Sequence, residues 1–137
     1  MADVTLPGLE AERSPLLVAL APLVGHLVVN VTARPAPRFD VYVGRTFAGR
    51  VDVGFGSPFP VGRETPAERL AVVRRYFTWL NGSGAAASAL RSRLRSGELD
   101  GLTLACWCAP KLCHGHILAA LAAGHADVVK AALRSAP

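Results

Sequence analysis

The chain has 137 residues, of which 51% are hydrophobic, and its formal charge is +5 from fifteen lysines and arginines against ten acidic residues. This length suits one domain with a substantial core, and the apolar content excludes a chain that is disordered throughout. Only two basic residues are lysines and the aromatic residues are few, so the charge permits an anionic ligand or nucleic acid without identifying either.

Residues 1–25 are predicted to be a leader with one short helix, and residues 26–137 a single α/β domain. The apolar, alanine-containing stretch Pro15–Leu23 is the helix candidate. Proline, glycine and histidine interrupt the apolar run that begins there, so it is too broken to span a membrane. Acidic residues precede the run where a signal peptide would be basic, and we therefore expect a cytoplasmic protein with no membrane contact.

Two strands and a long loop are predicted next. HLVVNV, His26–Val31, is rich in β-branched residues, and FDVYVGR, Phe39–Arg45, alternates apolar with polar residues. The segment Gly44–Gly62 then holds five glycines and two prolines in nineteen residues, which predicts an elaborate loop.

A helix is predicted to begin at Thr65 and Pro66, because Thr65 can cap it and Glu68 completes a capping box. Its core candidates include Phe77 and Leu80 at helical spacing. A second helix is predicted at Ala85–Arg95.

The last third of the chain predicts a strand, LTLACWC, then a helix from Cys113 or His114 to Gly124, and a final helix in ADVVKAALRS. Strands that alternate with helices indicate an α/β domain with an at least partly parallel sheet. Ligands bind such sheets at the carboxyl ends of the strands. The glycine-rich loop and the Cys/His loop both follow strands, so we expect them to face one crevice.

The segment LACWCAPKLCHGHIL holds all three cysteines and two of the four histidines. On an extended strand, Cys106 and Cys108 point to the same face. Cys113 would lie in the first turn of the next helix, where the helix dipole is expected to lower its pKa and favour thiolate. His114 and His116 are candidates for proton transfer or for orienting a ligand.

Three interpretations of this segment stay open. In the first, it is a reactive site with Cys113, His114 and His116 as catalytic residues. In the second it binds zinc, through Cys106, Cys108, Cys113 and His114, although C-x-C on a strand is a poorer chelate than the usual knuckle. In the third, the cysteines are small core residues and His116 faces solvent. A disulfide framework is disfavoured, because the cysteine count is odd.

The glycine-rich loop lacks the P-loop pattern, but its glycines allow a backbone to approach a ligand closely. Arg45, Arg50 and Arg63 are candidates for contacting a phosphate. Ser57 and Phe59 in the GSPF turn offer a hydroxyl and an aromatic face on which a planar base could stack. The alternative is a surface loop with solvated arginines.

The strings VYVGR, GSPFPVG, RRYFTWL and LACWCAPKLCHGHIL, in this order over about Val28 to Ala122, resemble the bacterial and phage family catalogued as domain of unknown function 4326. The resemblance implies a small Rossmann-like, three-layer α/β domain with a mostly parallel sheet, and no settled activity. Two positions depart from the family pattern: Ser57 stands where asparagine is typical, and His116 where aspartate is typical. If that aspartate does chemistry in relatives, this chain has changed or lost the activity.

We expect a domain that binds, or binds and acts on, a small phosphorylated, nucleotide- or nucleoside-like ligand in the crevice. The residues expected to position this ligand are Gly44, Arg45, Ser57, Phe59 and Cys108. Hydrolysis or transfer at a glycosidic or phosphate bond is the generic expectation, with Asp40, Asp52 and Glu64 as candidate bases. Two alternatives are a zinc-stabilised module that binds DNA or a protein, and a non-catalytic module with packed cysteines.

Overall fold

A computed structural model of the chain describes residues 14–62 and 65–135. A short 3-10 turn at Gly25–Leu27 separates the first helix from the first strand. The helices and strands of the described residues are, in chain order, α1 Pro15–Val24, β1 Val28–Asn30, β2 Val41–Tyr42, α2 Pro66–Leu80, α3 Ala85–Arg95, β3 Leu104–Cys106, α4 His114–Ala122 and α5 Ala126–Ser135.

The three strands form one parallel sheet in the order β1-β3-β2. Leu104 of the central strand is in register with Val28 on one side and Val41 on the other. Because all strands run the same way, the segments after Asn30, Tyr42 and Cys106 leave the sheet at one edge. The predicted small α/β domain with a parallel sheet is therefore confirmed.

The strands are shorter than predicted. Residues 39–45 were expected to be extended, yet the ladder covers only Val41 and Tyr42. Further backbone bonds flank it, from Asp40 N and Val41 N to the Thr103 carbonyl and from Val43 N to the Ala105 carbonyl. The central strand β3 ends at Cys106, so the segments that follow β1 and β2 find no β3 residue to pair with past that end of the sheet. Residues 25–27 form a helical turn in place of the start of the predicted first strand.

The helix boundaries follow the capping signals in the sequence. Thr65 Oγ1 accepts a hydrogen bond from Glu68 N at 3.1 Å at the start of α2, as predicted. α1 is also a helix, and its Leu16, Leu20 and Val24 are fully buried against α4 and α5. α1 thus shares one core with the rest of the domain. Residues 1–13 of the predicted leader lie outside the described residues.

The sheet has two different faces. One face, which includes Val28, Leu104 and Cys106, belongs to the main core with the helices. The other face carries a small cluster around Tyr42 and Ala105, and within the described ranges this cluster contains no helical residue. The buried helix residues thus belong to the core on the first face, and the small cluster on the second face is formed by strand and loop residues. Among the same residues, no helix has the length and apolar character needed to cross a membrane.

Candidate functional site

A cavity of about 120 Å³, which we call the inner recess, opens at the carboxyl ends of the strands. It is bounded by the glycine-rich loop, the Cys/His segment and the start of α2. Eight of the residues singled out in the sequence line it: Gly44, Arg45, Ser57, Phe59, Cys106, Cys108, Cys113 and His114. The structure thus brings the two loops together as expected. His116, the other candidate of the Cys/His segment, does not line the recess.

A wider and more open cavity of about 520 Å³, the outer crevice, is lined by Tyr42, Arg45, Thr46, Phe47, Val61, Trp107 and Cys108. It shares Arg45, Val61, Trp107 and Cys108 with the inner recess. The two cavities therefore adjoin, and a ligand bound in the recess can extend into the crevice.

The glycine-rich loop is anchored to the domain. The Phe55 side chain is fully buried, and the Arg93 guanidinium of α3 lies 4.1 Å from the centre of its ring. Asp52 Oδ1 accepts hydrogen bonds from Gly54 N at 2.8 Å and Gly56 N at 3.1 Å. The loop is thus a fixed wall of the recess, and the Asp52 carboxylate is engaged in holding its turn.

The other polar candidates of the glycine-rich region lie elsewhere. The Asp40 carboxylate accepts a hydrogen bond from Thr103 N at 2.8 Å, outside both cavities. The Arg50 guanidinium lies 5.3 Å from the centre of the Phe39 ring. Arg63 and Glu64 lie outside the described residues.

Ser57 shapes the turn that presents Phe59 to the recess. Its side chain is only 6% exposed, and its Oγ accepts a hydrogen bond from Phe59 N at 3.1 Å. This is the local hydroxyl-to-backbone bond of a serine turn. Phe59, which follows, is half-buried in the wall of the recess.

Gly44 makes room for a tyrosine that holds the backbone of Arg45. A Cβ at Gly44 would overlap the Tyr42 ring and hydroxyl, so only glycine fits. The Tyr42 hydroxyl donates to the Arg45 carbonyl at 2.6 Å and accepts from Trp107 Nε1 at 2.6 Å. Burial raises the pKa of Tyr42, so this hydroxyl stays protonated and donates. By leaving room for Tyr42, Gly44 lets the Tyr42 hydroxyl hold the backbone from which the Arg45 side chain extends.

Cys106 and Cys113 are in direct contact, with their sulfur atoms 3.2 Å apart. A hydrogen bond from the Cys113 thiol lowers the pKa of Cys106 to about 7, assisted by the amide of Ala109, whose N lies 3.3 Å from the sulfur. The same bond, together with burial, raises the pKa of Cys113 well above its usual range. The raised pKa of Cys113 contradicts the expected lowering by the helix dipole, and of the two sulfurs Cys106 is the one whose ionised form the surroundings favour.

The two histidines of the motif both bind the backbone. His114 Nε2 lies 2.7 Å from the Val43 carbonyl, and burial lowers the pKa of its ring. The neutral ring therefore donates its Nε2 proton to the carbonyl of Val43, the residue that follows β2, and lies edge-on to Tyr76. This bond fixes the ring in the wall of the recess.

His116 is 2% exposed, and its Nδ1 accepts a hydrogen bond from Cys113 N at 3.2 Å. Burial lowers the pKa of His116 to about 4, so its ring is neutral near neutral pH. The interpretation in which His116 faces solvent is wrong. The buried ring instead completes the cap of α4, because its Nδ1 accepts the hydrogen bond from the backbone N of Cys113.

The zinc interpretation involves Cys106, Cys108, Cys113 and His114. Within residues 14–62 and 65–135, no group of three or more histidine, cysteine and acidic side chains is arranged to hold a metal ion. In the motif itself, His114 Nε2 is bonded to a backbone carbonyl, and the Cys106 and Cys113 sulfurs contact each other.

Arg69 is a residue of the site that the sequence reasoning missed. It lies on α2, is 3% exposed and lines the inner recess, where its Nη1 donates to the Leu112 carbonyl at 3.4 Å. Its positive charge also lowers the pKa of Cys106. The sequence feature that could have identified Arg69 as buried is its helical spacing from Val73 and Tyr76, which places all three residues on one face of α2.

Asn30, at the end of β1, is a second residue that the sequence reasoning missed, and it lies outside the lining of both cavities. Its Nδ2 donates to the carbonyls of Trp107 at 3.0 Å and Ala109 at 2.9 Å, and its Oδ1 accepts from Thr32 N at 2.8 Å and Thr32 Oγ1 at 2.6 Å. The side chain thus ties β1 to the turn that follows Cys106. No sequence signal distinguishes it from an ordinary strand-end asparagine.

The fold and the site define a class: a small α/β domain with a cavity at the carboxyl ends of a parallel sheet, walled by a cysteine pair and a buried arginine. Residues 29–124, more than half of the chain, match the family described as Domain of unknown function (DUF4326). The chain therefore belongs to that family. Comparison with curated proteins found no match, and comparison with solved structures found none.

Proposed function

We propose that this domain binds a small phosphorylated ligand of nucleotide-like size across the inner recess and the outer crevice. The observation that carries the proposal is Arg69, a guanidinium that is 3% exposed in the wall of the recess. A buried cation beside a cavity is a natural partner for an oxyanion, because the low dielectric strengthens the attraction between the two.

The sizes of the two cavities support division of the ligand between them. The inner recess, at about 120 Å³, is smaller than typical ligand pockets but accommodates one compact group. The outer crevice, at about 520 Å³, lies within the usual range. A phosphate near Arg69, with the remainder of the ligand in the crevice, matches this shape.

The surrounding side chains support the same orientation. Arg45 is exposed and lines both cavities, so it can follow an anionic group from one into the other. Phe59 in the recess and Trp107 between the cavities provide aromatic faces for a planar base. The positive charge of Arg69 also lowers the pKa of Cys106. In this proposal the same cation would attract both the bound oxyanion and the Cys106 thiolate.

The test is calorimetric titration of the full chain with AMP, adenosine and inorganic phosphate. We expect AMP to bind and adenosine to bind at least about tenfold more weakly, since a charge-assisted hydrogen bond contributes about 1.5–3 kcal/mol. Arg69→Met should weaken AMP binding by a similar factor. The control is Arg75→Met, which changes an exposed arginine on the same helix and should leave the Kd unchanged.

Two outcomes would contradict the proposal. One is the absence of binding by any phosphate-bearing compound to the unaltered chain. The other is an Arg69→Met protein that gives the same far-ultraviolet circular dichroism spectrum as the unaltered chain and still binds AMP equally well.

A further inference from the structure

The cysteine pair suggests a second activity that does not depend on the ligand proposed above. Cys106 ends β3 and Cys113 precedes α4, so two regular elements hold the sulfur atoms 3.2 Å apart. A disulfide needs a separation of about 2.05 Å, which is only a small approach from this position. Both side chains line the inner recess, although they are only 2% and 5% exposed.

We propose that Cys106 and Cys113 are a redox-active dithiol, which a small hydroperoxide that enters the inner recess converts into an intramolecular disulfide.

The reaction balances with the peroxide as the only oxidant. The Cys106 thiolate attacks one oxygen of hydrogen peroxide and the O–O bond breaks, which leaves Cys106 as a sulfenic acid. The departing hydroxide takes up the proton that the Cys106 thiol released to solvent on ionising, and becomes the first water. The Cys113 sulfur then attacks the Cys106 sulfur, the S–O bond breaks, and the Cys113 proton leaves with the hydroxyl as water. Two thiols are oxidised to one disulfide, and one hydrogen peroxide is reduced to two waters; an organic hydroperoxide would give one water and one alcohol.

The environment assigns the two roles. Ala109 N lies 3.3 Å from the Cys106 sulfur and supports negative charge there, and Arg69 lines the same recess. The Cys113 sulfur lies 3.2 Å from the Cys106 sulfur, and this contact together with burial raises the pKa of Cys113, which suits the resolving partner. An attacking thiol with a pKa near ambient pH is also the most effective one, and the pKa of Cys106 is lowered to about 7.

The sequence allows a direct test with the full chain. The protein is reduced, exchanged into buffer without thiol, treated with hydrogen peroxide, blocked with N-ethylmaleimide and digested with trypsin. Cleavage after Arg95, Lys111 and Lys130 places Cys106 and Cys108 in peptide 96–111 and Cys113 in peptide 112–130. We expect mass spectrometry to show these two peptides joined, and separated again by a reductant.

Cys108→Ser is the matched control, because it leaves only the proposed pair. We expect the joined peptides to form in this variant as in the unaltered chain, with about one cross-link per chain in a monomeric band on a non-reducing gel. In Cys113→Ser, Cys106 should stop at the sulfenic acid and be trapped by dimedone.

The proposal fails if the joined peptides are absent from the unaltered chain after its thiols have reacted. It also fails if Cys108→Ser abolishes them, since the pair would then be Cys108 and Cys113, or if the cross-link lies between two chains. None of these readouts uses a nucleotide, so they are independent of the AMP titration.

Discussion

At the scale of single residues, Ser57 and His116 stand where the family resemblance led us to expect asparagine and aspartate, and both satisfy a backbone amide. Ser57 Oγ accepts from Phe59 N, two residues on, as an asparagine side chain does in the corresponding turn. His116 Nδ1 accepts from Cys113 N, the bond that an acidic or amide side chain makes at the third position of a helix. Both departures keep the local hydrogen bond, so the backbone around the recess does not need aspartate at position 116.

A pair of substitutions tests the capping role of His116. Glutamine keeps an acceptor for Cys113 N, whereas leucine leaves that buried amide without its bond. We expect His116→Leu to lower the free energy of unfolding by about 1–3 kcal/mol relative to His116→Gln, measured by urea denaturation at pH 7.5. Equal values for the two variants would show that the ring is only a packing element.

At the scale of elements, the turn after Cys106 is held by a neighbouring strand through the Asn30 side chain. Asn30→Ala removes two donors to that turn and two acceptor contacts with Thr32. We expect a loss of about 1–3 kcal/mol in the free energy of unfolding, because two part-buried hydrogen bonds to the turn are removed. Thr32→Val removes only the contact made by the exposed Thr32 hydroxyl and should cost less than about 0.5 kcal/mol, so similar losses in the two variants would contradict this role.

The helices were more predictable than the strands because their signals are local. Thr65 and Glu68 fix the start of α2 through a bond between nearby residues. The strands depend on partners far away in the sequence, and the ladder of β2 stops where β3 ends. Of the core candidates predicted for α2, Leu80 is fully buried and Phe77 is partly buried against the core, whereas Tyr76, which was not among them, is fully buried.

At the scale of the whole molecule, the location of the site followed from topology and its chemistry did not. Parallel strands place their carboxyl ends at one edge, so the meeting of the glycine-rich loop with the Cys/His loop could be predicted. Which of the two cysteine sulfurs ionises more readily depends on the distance and orientation between the end of β3 and the start of α4. The spacing of the cysteines in the sequence does not specify either of these. The same holds for Arg69, whose place in the recess depends on the packing of α2.

The two buried histidines also make the stability of the whole molecule depend on pH. Burial lowers the pKa of His116 to about 4 and lowers that of His114, whereas an unfolded chain has histidine near its ordinary value of about 6.5. Between these values the unfolded state binds more protons, so the free energy of unfolding falls as pH falls from about 6.5 towards 4. The slope contributed by His116 approaches about 1.4 kcal/mol per pH unit.

Urea denaturation at pH 7.5, 6 and 5 measures this dependence, with His116→Gln as the matched variant. We expect the unaltered chain to lose stability steadily below pH 6.5 and the variant to lose distinctly less, because glutamine keeps the cap but does not titrate. The difference between the two proteins isolates His116 from every other titrating group. If the two curves run parallel between pH 7.5 and 5, the His116 ring takes up its proton without unfolding the domain, and it does not lie in the buried, neutral setting that caps α4.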